Sequence, residues 1–135
     1  MLYFYMNKNI TYACIDIGLK RIGVATSLAM RIVTPAPVIL RKNRNQAAKD
    51  VDSFLSSWDI DTLIVGLPGA NDEMQRRISH FVKLLEFSGN IEFQEENMSS
   101  IEAEDLIKGE IKYKRDGRID CIAAKIILER YLANI

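Results

Sequence analysis

Residues 11–17 read TYACIDI and residues 21–26 read RIGVAT, and these two stretches, joined by a Gly-Leu-Lys turn, decide the fold. Each stretch is short and β-prone, and the spacing between them is typical of an antiparallel hairpin. A single acid, Asp16, lies inside the first stretch. Because an ionised carboxylate among apolar residues is costly unless it is paired, hydrogen-bonded or metal-bound, Asp16 is the first candidate for a functional residue.

The sequence after the hairpin predicts one more strand, a helix and a buried strand. Residues 33–40 form the strand, which Pro35 and Pro37 assign to an edge of the sheet. The helix is indicated by an apolar stripe at helical spacing: Ala47, Val51, Phe54, Leu55 and Trp58. Residues 62–65 (TLIV) predict a strand buried on both faces, and the Gly-Leu-Pro-Gly that follows predicts a loop.

The next part of the chain predicts a helix, a strand and a short helix. The first helix is capped by Asn71 or Asp72, and its apolar stripe contains Met74, Ile78, Phe81, Val82 and Leu85. Residues 91–95 (IEFQE) alternate apolar and polar side chains, as a strand does. A capping box formed by Ser99 and Glu102 predicts that the short helix follows directly.

The C-terminal part predicts a basic loop over residues 108–118 (KGEIKYKRDGR) and a last helix over residues 119–132. The apolar face of that helix contains Ile119, Ile122, Ala123 and Ile126. The element order β-β-β-α-β-α-β-α-α predicts an α/β fold. We expect a mixed five-stranded sheet, a three-strand antiparallel meander plus two parallel strands, covered by helices.

The size and composition predict one domain over residues 1–135. The 18 basic and 18 acidic residues give no net charge, so nucleic-acid affinity must come from local charge placement or from metal. We interpret Cys14 and Cys121 as small buried residues in a reducing compartment. The absence of a long apolar run and of a signal-peptide pattern after Met1 or Met6 predicts a cytoplasmic protein with no membrane contact.

Asp16 lies near the end of a predicted central strand, which is where α/β sheets collect their ligands. The alternative is that Asp16 only caps the turn through Gly18. Gly23, inside the second strand, favours a functional role because a glycine there lets another group approach the backbone closely. The one histidine, His80, falls off the apolar stripe of its helix, which disfavours a histidine base.

Residues 16–25 (DIGLKRIGVA) resemble a motif of the YqgF family, whose members are described as pre-16S ribosomal RNA nucleases and as Holliday junction resolvase-like proteins. Three further segments agree in order: residues 65–68 (VGLP), 95–103 (EENMSSIEA) and 119–132 (IDCIAAKIILERYL). The resemblance extends over nearly the whole chain and implies a ribonuclease H-like fold. One departure is Asn97, which stands where the family usually has arginine.

The resemblance implies that the family's catalytic acids correspond to Asp16, Glu96 and Asp120, holding Mg²⁺ or Mn²⁺ as two ions. Hard cations prefer carboxylate oxygen, and two ions can activate water and stabilise the leaving oxygen in phosphodiester hydrolysis. In this hypothesis Asp16 bridges the ions, and Glu96 and Asp120 each complete one site. Without the resemblance, Glu96 is better explained as a solvated acid past a strand. Asp120 is then equally well explained as an acid favoured by a helix dipole.

Basic residues near the acids are candidates for nucleic-acid binding: Lys20, Arg21, Lys114, Arg115 and Arg118. Tyr113, in the same basic loop, could stack on a base. The alternative is that this loop is only a solvated surface segment.

The resemblance leaves two functions that share one fold and one set of acids. The first is a nuclease that matures the 5′ end of precursor 16S ribosomal RNA in ribosome biogenesis, with a ribosomal precursor particle as partner. The second is a resolvase of branched DNA, for which a homodimer rather than a monomer is expected. Further alternatives are an ATP-binding protein of the sugar-kinase type, disfavoured by the short chain, and a non-catalytic nucleic-acid-binding or nucleotide-binding module, disfavoured by the presence of all three acids.

Overall fold

The computed structural model describes residues 10–96 and 117–135. The strands in these residues are β1 (Tyr12–Ile17), β2 (Arg21–Ser27), β3 (Thr34–Leu40), β4 (Thr62–Pro68) and β5 (Asn90–Glu96). The helices are α1 (Arg44–Ser57), α2 (Asp72–Val82) and α3 (Gly117–Ala133). The predicted short helix near residue 100 and the basic loop up to residue 116 lie outside the described residues.

The five strands form one mixed sheet in the order β3-β2-β1-β4-β5. The β1–β2 and β2–β3 pairs are antiparallel, whereas the β1–β4 and β4–β5 pairs are parallel. The predicted fold class is therefore confirmed, and β3 with its two prolines lies at an edge as expected. The first three strands are joined by hairpins, and the later strands by crossovers. The parallel strands β1, β4 and β5 therefore have their carboxyl ends along one edge of the sheet, the edge that is formed by strand ends.

Helices cover both faces of the sheet. One face packs against α1 and α2, whose buried residues are Ala47, Ala48, Val51, Leu55, Ile78 and Phe81. The other face packs against α3 through Ala124, Ile127, Leu128 and Leu132. In β1, Ala13 and Ile15 contribute to the first cluster, while Tyr12 and Cys14 contribute to the second. Because side chains alternate along a strand, Asp16 belongs to the α3 face.

The turn between β1 and β2 requires a glycine. The Gly18 amide donates to the Arg21 carbonyl at 3.0 Å, and a Cβ on Gly18 would lie 2.7 Å from that oxygen. The Arg41 guanidinium donates to the Gly18 carbonyl at 2.8 Å and so ties the end of β3 to the same turn. Gly18 therefore has a structural role of its own, independent of any cap from Asp16.

Both parallel strands are longer than the sequence pattern indicated. β4 continues through Gly66 and Leu67 to Pro68, and β5 continues to Glu96, because the two strands stay in register up to the Pro68–Glu96 pair. The predicted loop after residue 65 is thus part of a strand. Glu96, interpreted from the sequence as a residue past a strand, is the last residue of β5.

The predicted helical stripes need correction at particular residues. Leu85 lies beyond α2, which ends at Val82. Trp58 is the residue that ends α1, and it is 39% exposed and packs on the Phe54 ring instead of entering the core. In α3, Ile122 and Ile126 are only half-buried, whereas Cys121 is buried. The buried face is broader than predicted because α3 packs across β1, β2 and β3 together.

Other predictions agree with the structure. Asn71 caps α2 by accepting a hydrogen bond from the Met74 amide at 3.0 Å. Cys14 and Cys121 are buried and free, and His80 is exposed. In residues 10–96 and 117–135, no helix combines the length and the apolar character that a membrane span needs.

Gly23 allows α3 to lie directly against β2. It is paired with Asp16 in the β1–β2 ladder, and a Cβ on Gly23 would lie 2.0 Å from the carbonyl oxygen of Asp120. No side chain fits at this distance, so the backbone of α3 would have to move. The close approach expected at Gly23 is therefore made by the first turn of α3, which carries Asp120 towards Asp16.

We expect Gly23→Ala to destabilise the protein by ~1–3 kcal/mol, because the methyl group overpacks a contact between two backbones. Gly69→Ala is the matched control. A Cβ at Gly69 would meet the end of the exposed Glu95 side chain, which can rotate away. Urea unfolding of the two variants measures the difference, and equal midpoints would contradict the proposed packing role of Gly23.

Candidate active site

Asp16 lies near the carboxyl end of β1, at the edge of the sheet where β4 and β5 also end. Its neighbours on the α3 face are Cys14 on the same strand and Gly23 across the antiparallel ladder. Because Gly23 has no side chain, the backbone of Asp120 in the first turn of α3 lies against β2 beside Asp16. Asp16 is half-buried, so its carboxylate is largely removed from water but keeps a path to the surface.

Glu96 is brought to the same edge by the parallel ladder between β4 and β5. Its Cα pairs with that of Pro68, the last residue of β4. Glu92, two periods earlier on β5, accepts a hydrogen bond from the Tyr131 hydroxyl of α3 at 2.8 Å. The period-2 alternation of a strand therefore puts Glu92 and Glu96 on the α3 face, the face to which Asp16 belongs.

The Glu96 carboxylate is buried and binds an arginine of α3. Its side chain is 4% exposed, and Oε2 accepts a hydrogen bond from Arg130. The other oxygen, Oε1, is also buried and has no hydrogen-bond partner among the residues that the structure describes. A buried carboxylate oxygen without a partner is costly, which makes Oε1 a candidate ligand atom.

Asp120 lies in the first turn of α3, as the sequence predicted. Its carboxylate is partly exposed and forms an ion pair with Arg21, at 2.8 Å from the arginine Nε. The same turn lies against Gly23, opposite Asp16. The predicted acids therefore come from three elements, β1, β5 and α3, and approach one edge of the sheet.

The three acids interact electrostatically. The pKa of Asp16 is raised to about 6, first because burial disfavours its charged form and then because the charges of Asp120 and Glu96 repel it. Burial also raises the pKa of the Cys14 thiol well above its ordinary value, and the charge of Asp16 adds to that shift. An acid with a pKa near neutrality, close to two others, is typical of a functional site.

A cleft of about 190 Å³ opens at this edge and contains two of the acids, Asp16 and Glu96. Its other walls come mainly from apolar residues: Ile17, Gly66, Leu67, Pro68, Met74, Ile78 and Ile127. Gly66 and Ile127 fit closely, since a Cβ on Gly66 would lie 2.8 Å from the Ile127 methyl carbon. An apolar cleft with a few charged groups strengthens the electrostatic interactions within it.

The structure describes two of the basic residues that the sequence singled out. Lys20 is exposed on the turn after β1, and Arg21 is half-buried with its guanidinium on Asp120. Lys114 and Arg115 and the side chain of Arg118 lie outside the described residues. Arg130 also belongs to this site, although no local pattern in the sequence indicates it, because its partner Glu96 lies 34 positions away.

Comparison with known proteins identifies the family. Residues 10–134 match the family described as RuvX, Holliday junction resolvase. The chain belongs to the RuvX family. The resemblance seen in the sequence motifs is thereby confirmed.

Relatives with high sequence identity carry the name "Putative pre-16S rRNA nuclease". A Sulfurimonas denitrificans protein is 54% identical over 124 residues, which are 90% of this chain and 95% of that protein. A Sulfurovum protein is 56% identical over 124 residues, 90% of this chain and 97% of its own length. A Helicobacter hepaticus protein is 43% identical over 131 residues, 90% of this chain and 94% of its own length.

Two of the solved structures that resemble this RuvX chain are a viral Holliday junction resolvase and a bacterial RuvC. The fowlpox virus resolvase has a TM-score of 0.58 at 17% identity, with 93% of this chain and all of that chain covered (100%). Thermus thermophilus RuvC, in complex with a Holliday junction, has a TM-score of 0.55 at 11% identity, with coverage of 93% and 95%. At such low identity the likeness establishes the ribonuclease H-like fold and nothing more.

The donor set of this RuvX site fits a hard divalent cation, although the ligands are not assembled. Within residues 10–96 and 117–135, no three acidic, histidine or cysteine side chains form a ready cluster for a metal ion, and both Glu96 and Asp120 bind arginines. The buried Oε1 of Glu96 lacks a hydrogen-bond partner in the described residues, and the charged form of Asp16 is disfavoured. A bound cation would stabilise both groups. The assignment of these acids as metal ligands stays a prediction.

We expect Asp16→Asn to stabilise the metal-free protein above pH 6. The raised pKa of Asp16, about 6 against an ordinary 3.8, means that the wild-type fold is favoured while the acid is protonated. That stability is fully present below pH 3.8 and is lost as the pH rises through about 6. The advantage of the asparagine should therefore be near zero at low pH and approach ~3 kcal/mol at pH 8.

Urea unfolding of wild type and Asp16→Asn between pH 4 and pH 8, in a chelating buffer, measures this difference. Asp72→Asn, which removes one exposed carboxylate from the first turn of α2, is the matched control for loss of a charge. Identical pH dependences for the two variants would show that the fold does not disfavour the charged form of Asp16.

Proposed function

We propose that this chain is a metal-dependent nuclease, one ribonuclease H-like domain over residues 1–135, that matures the 5′ end of precursor 16S ribosomal RNA in the cytoplasm. The observation that carries the proposal is the placement of three acids at one edge of the sheet: Asp16 and Glu96 line one cleft, and the turn that contains Asp120 lies against Gly23, the ladder partner of Asp16. Support comes from the names of relatives that are 54% and 56% identical over 90% of the chain.

Carboxylate oxygens of Asp16, Glu96 and Asp120 would hold Mg²⁺ or Mn²⁺, and we propose two ions. Hard cations of this kind prefer such ligands and retain several waters. When bound, the ions supply Lewis-acid stabilisation of a phosphoryl oxygen and a more acidic water nucleophile. The low polarity of the cleft walls, formed by Ile17, Leu67 and Met74 among others, makes each charge interaction there stronger than in water.

The chain's own residues provide the negative charge and the means to hold a polyanion. Asp16 must be ionised to bind a cation, so a bound cation lowers its pKa, and activity should rise with pH through the region of its titration. Lys20, exposed on the turn that follows Asp16, is a candidate contact for a substrate phosphate. Arg21 and the basic residues Lys114, Arg115 and Arg118 are proposed to extend that contact along the nucleic acid.

A second candidate function is the resolution of Holliday junctions. It is favoured by the description of the matching family. The same acids would carry out the same chemistry on DNA, and symmetrical cleavage of a four-way junction calls for a two-fold dimer. A monomeric enzyme that cuts single RNA strands would favour the ribosomal function instead.

We expect Asp16→Asn, Glu96→Gln and Asp120→Asn each to lower the rate of Mg²⁺-dependent or Mn²⁺-dependent phosphodiester cleavage by at least ~100-fold, because each removes a charge from the proposed ion-binding set. A single-turnover cleavage assay with end-labelled RNA measures the rates. Glu95→Gln, which removes the neighbouring exposed carboxylate, is the matched control and should retain full activity. A chelator should abolish wild-type cleavage. Residual activity shared by wild type and Asp16→Asn would refute the nuclease proposal.

A direct comparison of RNA and DNA substrates distinguishes the two candidate functions. We expect the purified protein to cleave a 5′-extended precursor 16S RNA faster than a four-way DNA junction of equal length, and cells without the protein to accumulate the extended RNA. Primer extension on total RNA measures the 5′ ends. Normal 5′ ends together with defective recombination would instead support the resolvase function.

A further inference from the structure

The contact between Glu96 and Arg130 joins the edge strand of the sheet to α3. Glu96 is the last residue of β5, and its side chain is 4% exposed, whereas that of Arg130 is 40% exposed. The arginine binds only one of the two carboxylate oxygens, Oε2. The other, Oε1, is buried and has no partner in the described part of the chain, and Glu96 lines the cleft that also contains Asp16.

We infer that Arg130 is a positioning residue that holds Oε2 of Glu96 so that Oε1 is left as the atom that binds the divalent cation. This inference rests on the proposed function, since it assigns a role toward the same metal. It adds a residue that the sequence motifs did not single out and that belongs to a different element from the acid it orients.

The rigidity of α3 supports this role. One turn before Arg130, Ile127 packs against Gly66 of β4 and lines the cleft, so the backbone that carries the arginine is fixed relative to the site. A glutamate side chain has three rotatable bonds, and a metal would have to order them if nothing else did. Hydrogen bonds from an outer residue to a ligating carboxylate commonly account for a 10- to 100-fold effect on metal affinity, as an order of magnitude.

Charge balance is consistent with the same role. Glu96 is the most buried of the three acids, and a buried carboxylate without a compensating cation is strongly unfavourable. Arg130 compensates this charge from the outer side while its guanidinium stays partly in water. Lysine would keep the charge but lacks the planar fork that fixes the direction of a carboxylate.

Two other roles give different results. A purely structural ion pair would affect the stability of the fold but leave the metal affinity of the folded protein unchanged. An arginine that occupies the metal site would compete with the cation, and its removal would tighten metal binding. If Arg130 positions Glu96, a folded variant without the arginine should bind metal more weakly, and lysine at this position should restore part of the affinity. Neither of the other two roles gives this result.

The test is calorimetric titration of Mn²⁺ into the full-length metal-free protein, with folding of each variant checked by circular dichroism. We expect Arg130→Met to weaken Mn²⁺ binding roughly 10- to 100-fold. Arg130→Lys should give an affinity between those of wild type and Arg130→Met. Arg77→Met is the matched control, because Arg77 pairs at 3.0 Å with the exposed Glu73 on α2 and neither residue lines the cleft. Its affinity should equal that of wild type.

The outcomes separate this inference from the proposed function. If wild type does not bind Mn²⁺, or Asp16→Asn binds it as well as wild type does, the metal site itself is wrong. If wild type binds Mn²⁺ and Asp16→Asn does not, but Arg130→Met binds it as tightly as wild type or more tightly, only the role of Arg130 is overturned. If Arg130→Met does not fold, Arg130→Lys decides: reduced affinity supports the role and unchanged affinity refutes it.

Discussion

Burial of the Asp16 carboxylate beside two other acids is the constraint on which the rest of this site depends. Burial disfavours the charged form of Asp16, the charges of Asp120 and Glu96 add to this effect, and together they raise its pKa to about 6. Close packing keeps the acids near one another. Gly23 lets the first turn of α3 lie on β2, and the parallel ladder extends β5 as far as Glu96. A site held in this way favours cations, since each cation bound reduces the repulsion.

Arginines from two elements moderate the repulsion in the absence of metal. Arg21 of β2 pairs with Asp120 of α3, and Arg130 of α3 pairs with Glu96 of β5. Asp120 and Glu96 are therefore each paired with an arginine. The largest contribution to the raised pKa of Asp16 is its burial.

Local pattern was sufficient to predict the sheet, its strand directions and the candidate acid in β1. The hairpin motif, the buried run at residues 62–65 and the stripe of α2 each depend on neighbours close in sequence. The contacts that complete the site do not: Arg21 and Asp120 are 99 positions apart, and Arg130 and Glu96 are 34 apart. Neither pairing leaves a periodic signal. The extension of β4 through Gly66 to Pro68 was missed for the same reason, because it depends on the ladder with β5.

The ladder between β4 and β5 also limits where related chains can gain or lose residues. Glu96 reaches the α3 face only because β5 keeps its phase from Asn90 onward. One residue gained or lost inside β5 would turn the acid to the face covered by α1 and α2, among apolar side chains. A change of length in the connections at residues 69–71 and 83–89 does not alter which face of the sheet a strand residue takes. Evolutionary insertions and deletions should therefore accumulate in these connections and be purged from the strand.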